Sequence, residues 1–197
     1  MLEQAFSSPP LSLPLPPSPS LSLPLPLSFV TPSPRHPITQ MPDSQIFEQS
    51  IQISASATAV EQCLTDLALM HRWLNPALRC EPVGVWSTEL GSKSRFLIQT
   101  PLVQPALHST VVEREPGLIV WEFRGFFQGR DRWECQPTST GTTLVNRFEF
   151  RIPNPIVRYG FNTFAAEWTR QDMQAQLRRL KRVAEALYNS SQTAPKK

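Results

Sequence analysis

The chain has 197 residues, of which 40% are hydrophobic and 18% charged, and 19 Lys and Arg against 16 Asp and Glu leave a net charge of +3. This composition is typical of a soluble globular protein, and the small positive surplus, without a basic patch interleaved with aromatic residues, argues against a nucleic-acid partner. No run of about twenty apolar residues is free of proline, so no transmembrane segment is predicted, while peripheral membrane contact stays open.

The first segment, residues 1–42, differs in composition from the rest. From Ser7 to Phe29 every residue is Ser, Pro, Leu or Phe, and 12 of the 21 prolines lie within residues 1–42. Proline at this density removes backbone donors and prevents helix formation, so a disordered or polyproline-like leader is predicted. Because codons for these four residue types have pyrimidines in their first two positions, we favour a misassigned upstream extension with the functional start at Met41. A genuine disordered tail, or a Pro-rich ligand of another protein, is the alternative.

The three cysteines, Cys63, Cys80 and Cys135, are an odd number and widely spaced. They form no CxxC pair and have no histidine at metal-ligand spacing, so no metal site is predicted. Each has apolar neighbours, which favours buried free thiols in a reducing compartment. A cytoplasmic location is therefore expected.

The domain that follows is predicted to span residues 43–189 and to begin with a strand and two short helices. Residues 46–54 alternate between apolar and polar types, which is typical of a half-buried strand. Thr58 followed by Glu61 is a capping-box pattern that opens a short helix. Asp66 is predicted to cap the second helix.

Five further strands are predicted after the helices. They lie at residues 93–100, 107–114, 118–124, 127–136 and 143–151. One apolar and one charged face in most of these segments predict an antiparallel sheet that is wetted on one side. The inward face of the strand at 107–114 stays unassigned, because its pattern does not distinguish the two sides.

One long helix is predicted from Pro155 to about Tyr188, followed by a disordered tail at residues 190–197. Apolar residues in its second half recur at steps of four and three, namely Met173, Leu177, Leu180, Ala184 and Leu187. The aromatic residues of its first half lie out of phase with this stripe, namely Phe161, Phe164 and Trp168. A kink or bulge that brings both sets onto one core is the favoured explanation, and a cavity lined by the aromatic residues is the alternative.

Two polar residues share the apolar faces of their strands. Asp131 has the same parity as Trp133, and Asn146 has the same parity as Phe148. A buried carboxylate needs partners and has its pKa shifted upward, so Asp131 is a candidate catalytic acid or base. A surface ion pair with its arginine neighbours explains Asp131 equally well. His71 and His108 lack a Ser or Cys partner at a recognisable motif, and a surface or capping role is predicted for both.

The order of these elements and several local motifs resemble the START-related helix-grip superfamily, often named SRPBCC, which includes polyketide cyclase/dehydratase-like and coenzyme Q-binding-like members. The motifs are Ile53-Ser-Ala-Ser56, the W-x-x-P from Trp73 to Pro76, Val120-Trp121, Gly141-Thr-Thr-Leu144 and the spacing of Asp172, Leu177, Leu180 and Glu185. The proline that members often carry near Ala55 or Ala57 is missing here. The resemblance implies an α+β fold: a curved antiparallel β-sheet, two short helices after the first strand and a long C-terminal helix across the sheet.

The resemblance also implies binding or transfer of a hydrophobic small molecule (lipid, quinone or polyketide-like) in a cavity between the sheet and the C-terminal helix. The residues expected to bind this ligand are Trp121, Trp133, Asn146, Phe148, Phe164 and Trp168. A cyclase/dehydratase-like enzyme that uses Asp131, or a module that binds a partner protein, is the alternative. No cofactor is implied, and nothing indicates the oligomeric state. Trp73 is predicted to be structural.

Overall fold

A computed structural model describes residues 44–99, 104–160 and 166–193. The strands within these ranges are β1 (Gln45–Ile53), β2 (Leu78–Pro82), β3 (Lys93–Ile98), β4 (Ala106–Glu115), β5 (Leu118–Arg124), β6 (Gln128–Thr138) and β7 (Gly141–Arg151). The helices are α1 (Ala57–Thr65), α2 (Leu67–Trp73), α3 (Pro155–Gly160) and α4 (Ala166–Thr193). The predicted leader at residues 1–42, and the predicted start at Met41, lie outside the described residues.

The strands form one curled antiparallel sheet in the order β1-β7-β6-β5-β4-β3-β2. From β2 onward each strand pairs with its neighbour in sequence, whereas β1 pairs with β7, where Ile51 lies opposite Leu144. With two short helices after β1 and a long helix at the end, this is the α+β helix-grip fold that the sequence predicted.

The helices α1, α2 and α4 pack on one side of this sheet, which we call the inner face. The sheet contributes apolar side chains to the shared core, including Ile53, Val111, Ile119, Trp121, Trp133, Cys135 and Leu144. The helices contribute Val60, Cys63, Leu64, Met70, Trp73, Leu177, Leu180 and Ala184. The alternation of apolar and charged residues along each strand therefore separates this core from the solvated outer face.

The inner face of β4, which the sequence left unassigned, is now defined. Ser109 and Val111 are buried on the inner face. His108, which precedes Ser109, is exposed on the outer face. A β-bulge between Val111 and Glu113 shifts the register, so that residues beyond it change parity. Alternation alone could not identify the face, because a bulge interrupts the period of two.

Side-chain caps begin both short helices. Asp66 caps α2 as predicted, since its carboxylate accepts a hydrogen bond from the N–H of Leu69 at 2.9 Å. The cap of α1, however, is Ser56, whose hydroxyl accepts from the N–H of Ala59 at 3.3 Å. The prediction of Thr58 as the capping residue was wrong, because Ser56 has the extended backbone that a capping position requires.

Glu61, the other half of the predicted capping box, serves a different purpose. Its carboxylate pairs with the guanidinium of Arg114 on β4 at 2.6 Å. Both side chains are largely withdrawn from solvent, at 21% and 19% exposure. Glu61 therefore joins α1 to the sheet and does not cap the N-terminus of its own helix.

The sequence missed β2, a five-residue strand at the edge of the sheet. Its inner-face residue Cys80 lies opposite Phe96 of β3. It ends in Pro82 and carries Arg79 and Glu81 on its outer face, features that are common in edge strands and that weaken the sequence signal.

The predicted C-terminal helix is helical at α3 and α4, whereas the interval between them lies outside the described residues, so a single continuous helix stays a prediction. The predicted apolar stripe is confirmed, since Met173, Leu177, Leu180 and Ala184 are all buried. The helix also continues to Thr193, into the predicted disordered tail. The hydroxyls of Ser190, Ser191 and Thr193 donate to backbone carbonyls within the preceding turn, and no glycine or proline interrupts the helix there.

Two basic residues of α4 anchor this helix. Arg179 donates to the carbonyl of Trp73 at 2.8 Å, and Lys181 donates to the carbonyl of Gln52 at 2.7 Å. Their positive charges are thus engaged with α2 and β1. Within the described ranges, no helix is both long and apolar enough to cross a bilayer.

The three cysteines are buried free thiols, as predicted. Burial raises the pKa of Cys63 to about 11, that of Cys80 to about 12 and that of Cys135 to about 12. They are therefore uncharged at neutral pH and pack as small apolar groups.

Candidate functional site

A hydrogen-bonded cluster of three side chains lies on the inner face of β6 and β7. The indole Nε1 of Trp133 donates to Oδ2 of Asp131 at 2.9 Å, and Nδ2 of Asn146 donates to Oδ1 of Asp131 at 2.6 Å. Nδ2 of Asn146 also donates to the carbonyl of Arg132 at 3.2 Å. We call Asp131, Trp133 and Asn146 the polar cluster.

The strand geometry explains why these three residues meet. Asp131 and Trp133 are two positions apart on β6, so both side chains point to the same face. Asn146 lies directly opposite Trp133 on β7 and diagonally across from Asp131. Cross-strand neighbours at these positions are within hydrogen-bonding reach, so the sheet register assembles the cluster.

The alternative explanation of Asp131, a surface ion pair with its neighbours, is wrong. Arg132 lies on the outer face, where it pairs with Glu113 and Glu134, both at 3.4 Å. Arg130 likewise approaches Glu122 at 3.8 Å. Among the described residues no cation forms an ion pair with Asp131, whose hydrogen-bond partners are neutral.

Burial raises the pKa of Asp131 to about 6 from its ordinary value of 3.8, although the hydrogen bonds from Trp133 and Asn146 act in the opposite direction. The desolvation cost of the charge therefore exceeds the stabilisation of the charge by the two neutral hydrogen-bond donors. Near neutral pH the carboxyl group can consequently exist in either protonation state.

Aromatic side chains surround the polar cluster. Trp121 on β5 and Phe148 on β7 are the residues opposite Asp131 on the two neighbouring strands. The rings of Phe123 and Phe148 stack with centroids 5.0 Å apart and planes within 12° of each other. The carboxyl group thus lies among aromatic residues.

Two further polar groups of the inner face were not singled out from the sequence. Nε2 of Gln49 donates to the carbonyl of Arg170 at 3.0 Å, whereas its Oε1 is buried without a partner among the described residues. The hydroxyl of Ser109 is likewise buried without such a partner, and the residue is 2% exposed. The parity of Gln49 with Phe47 was visible in the sequence, but the bulge in β4 concealed Ser109.

The predicted ligand-binding residues fall into two groups. Trp121, Trp133 and Asn146 are buried on the inner face, and Phe148 is partly buried there. Phe164 lies outside the described residues. Trp168 belongs to the first turn of α4, and its side chain is not among those described.

Trp73 is held within the core, close to the polar cluster. Its Nε1 donates to the carbonyl of Cys63 at 2.8 Å, and the residue is 3% exposed. Its ring centroid lies 5.3 Å from that of Trp133. These contacts suit the structural role predicted for Trp73.

The two histidines lie apart from the cluster. His71 contacts the carbonyl oxygen of Cys80 at 2.8 Å, and His108 is exposed on the outer face. In the part of the chain that the structure describes, no three His, Cys, Asp or Glu residues are grouped as metal ligands. Asp131 is thus the ionisable group of greatest chemical interest on the described inner face.

Comparisons with known proteins agree with this fold. The sequence model of the family described as polyketide cyclase / dehydrase and lipid transport matches residues 44–185. No curated protein matches the chain significantly in sequence. Solved structures do match: one from Chromobacterium violaceum is 19% identical with a TM-score of 0.56, covering 71% of this chain and 97% of its own.

Two more solved structures have the same fold. A protein of Thermus thermophilus is 16% identical with a TM-score of 0.58, covering 73% of this chain and 97% of its own. The Zhui aromatase/cyclase from a Streptomyces species is 15% identical with a TM-score of 0.57, covering 72% of this chain and 94% of its own. At these identities the likeness establishes the fold.

Proposed function

Because the chain belongs to the polyketide cyclase / dehydrase and lipid transport family, we propose that it binds a hydrophobic small molecule between the inner face of its sheet and α4. The observation that carries the proposal is the polar cluster placed among aromatic side chains on a largely apolar surface. Ligand sites commonly combine an apolar lining with a few positioned polar groups that orient the ligand.

A solid core does not account well for this arrangement. A buried carboxyl group costs free energy unless it is fully paired. If the inner face served only as a hydrophobic core, an apolar residue in place of Asp131 would make the protein more stable. The residues Asp131 and Phe148 both retain some solvent exposure on the inner face, although the carboxyl group of Asp131 is itself desolvated. Contact with a ligand would use both the exposed aromatic surface and the polar group.

A cyclase or dehydratase-like enzyme is the second candidate. It is favoured by the carboxyl group of Asp131, whose pKa of about 6 suits proton transfer near neutral pH. It ranks second because, among the described residues, no second titratable group accompanies Asp131 to perform the complementary proton transfer.

An apolar fluorescent dye tests the binding proposal. We expect N-phenyl-1-naphthylamine, which is apolar and uncharged, to bind the folded full-length chain and to change its tryptophan emission, because Trp121 and Trp133 lie on the inner face. Phe164→Asp or Trp168→Asp should abolish the binding, since the sequence predicts both residues to bind the ligand and a charge disfavours an apolar one. The control is Arg124→Ala on the outer face, where the arginine side chain is 78% exposed. A folded protein that takes up no dye would refute the proposal.

Lipids, quinones and polyketide-like molecules all remain candidate ligands, and we infer that the protein acts in a reducing compartment such as the cytoplasm. The compartment is supported by the three buried, unpaired cysteines. Native mass spectrometry of protein purified from its own cells would identify a retained ligand. Recovery of the protein in an oxidising compartment would contradict the inferred location.

A further inference from the structure

We propose that the ligand presents a neutral or cationic hydrogen-bond donor to Asp131, and that the site discriminates against ligands with an anionic end, such as a carboxylate. The inference rests on the proposed function and specifies the chemistry of the molecule bound. It follows from a count of donors and acceptors in the polar cluster and from the charges around it.

The polar cluster has more acceptor capacity than donors. An ionised carboxylate offers about four acceptor positions, and Trp133 and Asn146 fill two of them. The indole has a single N–H, which is used. Both amide hydrogens of Asn146 are used as well, one on Asp131 and one on the carbonyl of Arg132. Among the described residues, these two partners of Asp131 therefore have no further hydrogen to donate, and its open positions can accept one from a ligand.

Gln49 provides a second acceptor on the same face. It lies opposite Asn146 on β1, and its Nε2 is committed to the carbonyl of Arg170. Its Oε1 is buried and lacks a partner among the described residues. Acceptors thus lie on both sides of Asn146. A hydroxyl or amino group on the ligand could be accommodated by either.

The charges that surround the cluster give the second half of the inference. The residues opposite Asp131 on β5 and β7 are Trp121 and Phe148, which do not titrate near neutral pH. The charged side chains of α4 that contact the sheet or α2 are engaged in contacts of their own. These are Arg170 with Glu167 and the ring of Phe47, Arg179 with Asp172 and the carbonyl of Trp73, and Lys181 with Glu185 and the carbonyl of Gln52. An anionic group beside Asp131 would therefore meet a like charge, while these cations of the described residues are already engaged elsewhere.

The protonation state of Asp131 should control this preference. Burial raises the pKa of the carboxyl group to about 6, so it is a charged acceptor above that pH and a neutral acid below it. Donor preference is therefore expected to be strongest in mildly alkaline solution and to weaken as the pH falls through 6.

Three naphthalenes of similar size separate these effects. 2-Naphthol carries a donor, 2-methoxynaphthalene carries none, and 2-naphthoate carries a negative charge. Using titration calorimetry on the full-length chain near pH 8, we expect 2-naphthol to bind about tenfold more tightly than 2-methoxynaphthalene, since a hydrogen bond to a charged group has this magnitude. 2-Naphthoate should bind most weakly of the three.

The Asp131→Asn variant should bring the affinities of the three probes closer together. It should weaken 2-naphthol toward 2-methoxynaphthalene and strengthen 2-naphthoate, while 2-methoxynaphthalene is unchanged. Glu122→Gln, which alters a carboxylate of the outer face, should preserve the original order. A pH series on the unaltered protein provides the same test if Asp131→Asn does not fold, because the preference for 2-naphthol should be clearly weaker at pH 5 than at pH 8.

The outcomes distinguish this inference from the proposed function. Equal binding of 2-naphthol and 2-methoxynaphthalene, a preference that does not depend on pH, or a preference retained in Asp131→Asn would overturn the inference. The proposed function would survive any of these results, since the apolar ring would still be bound. Failure of all three probes to bind would refute the proposed function and this inference together.

Discussion

The backbone N–H of Gly117 donates to Oε2 of Glu61 at 3.0 Å, which fixes the turn between β4 and β5 to helix α1. Gly117 has a φ of +75°, a conformation that side-chain-bearing residues rarely adopt. The other carboxylate oxygen of Glu61 holds Arg114 at the end of β4. One side chain therefore joins a helix to both the strand and the turn that follows it.

Replacement of this carboxylate should destabilise the domain. We expect Glu61→Ala to lower the free energy of unfolding by about 1–3 kcal/mol, because it leaves the guanidinium of Arg114 and the N–H of Gly117 without their acceptor. Urea denaturation measures the loss. The control is Glu122→Ala, which removes exposed ion pairs of the outer face and should cost less than about 1 kcal/mol. Equal costs for the two variants would contradict the linking role of Glu61.

Trp73 is expected to support the fold and not to contact the ligand. Trp73→Ala should cost roughly 3–5 kcal/mol, since it removes a large buried ring. Trp73→Phe should cost about 1 kcal/mol, mainly for the hydrogen bond to the carbonyl of Cys63. Thermal and urea denaturation would measure both, with dye binding as a second readout. Normal stability combined with lost dye binding would show instead that Trp73 belongs to the ligand site.

The free energy of unfolding should depend on pH because of Asp131. Its pKa of about 6 in the folded protein exceeds the ordinary 3.8, so the folded state binds the proton more tightly than the unfolded state. Protonation then favours folding, and stability should rise as the pH falls through 6 toward 4. Relative to Asp131→Asn, the unaltered protein should gain about 3 kcal/mol over this interval. A difference that stays constant with pH would rule out the raised pKa.

Residues 1–40 are predicted to be dispensable for the stability of the domain. Their composition provides too little apolar surface to offset the entropy lost on ordering. A chain that begins at Met41 should therefore have the same melting temperature as the full-length chain. A clear decrease would mean that the leader packs on the domain.

Sequence alternation identified the inner face wherever the strands were regular. Trp121, Trp133 and Asn146 were predicted on the apolar side of their strands, and β5, β6 and β7 pair there in continuous register. The period of two therefore held along the part of the sheet that carries the polar cluster. Parity alone could not show that Asp131 and Asn146 share a hydrogen bond, because the register between strands depends on turn geometry.

Long-range contacts account for what local patterns missed. Ser56 and Thr58 are both suitable capping residues, and the choice between them follows from where the chain leaves β1. Glu61 matched a local capping motif, but its partners on the β4–β5 turn lie far away in sequence and cannot be identified from a local pattern. The face of Ser109 depended on a bulge, whose position is set by the pairing of β4 with β5.

The position of β1 beside β7 also affects how this protein can fold as it is synthesised. Strands β2 to β7 pair with sequence neighbours and need to close only short loops, whereas β1 pairs with a strand at the other end of the domain. Contacts of such separation form late, because the chain between them must first be brought together. The apolar side of β1, with Phe47, Ile51 and Ile53, therefore emerges early from the ribosome. It has no partner strand until β7 has been synthesised. That interval is when the nascent chain most needs protection by a chaperone.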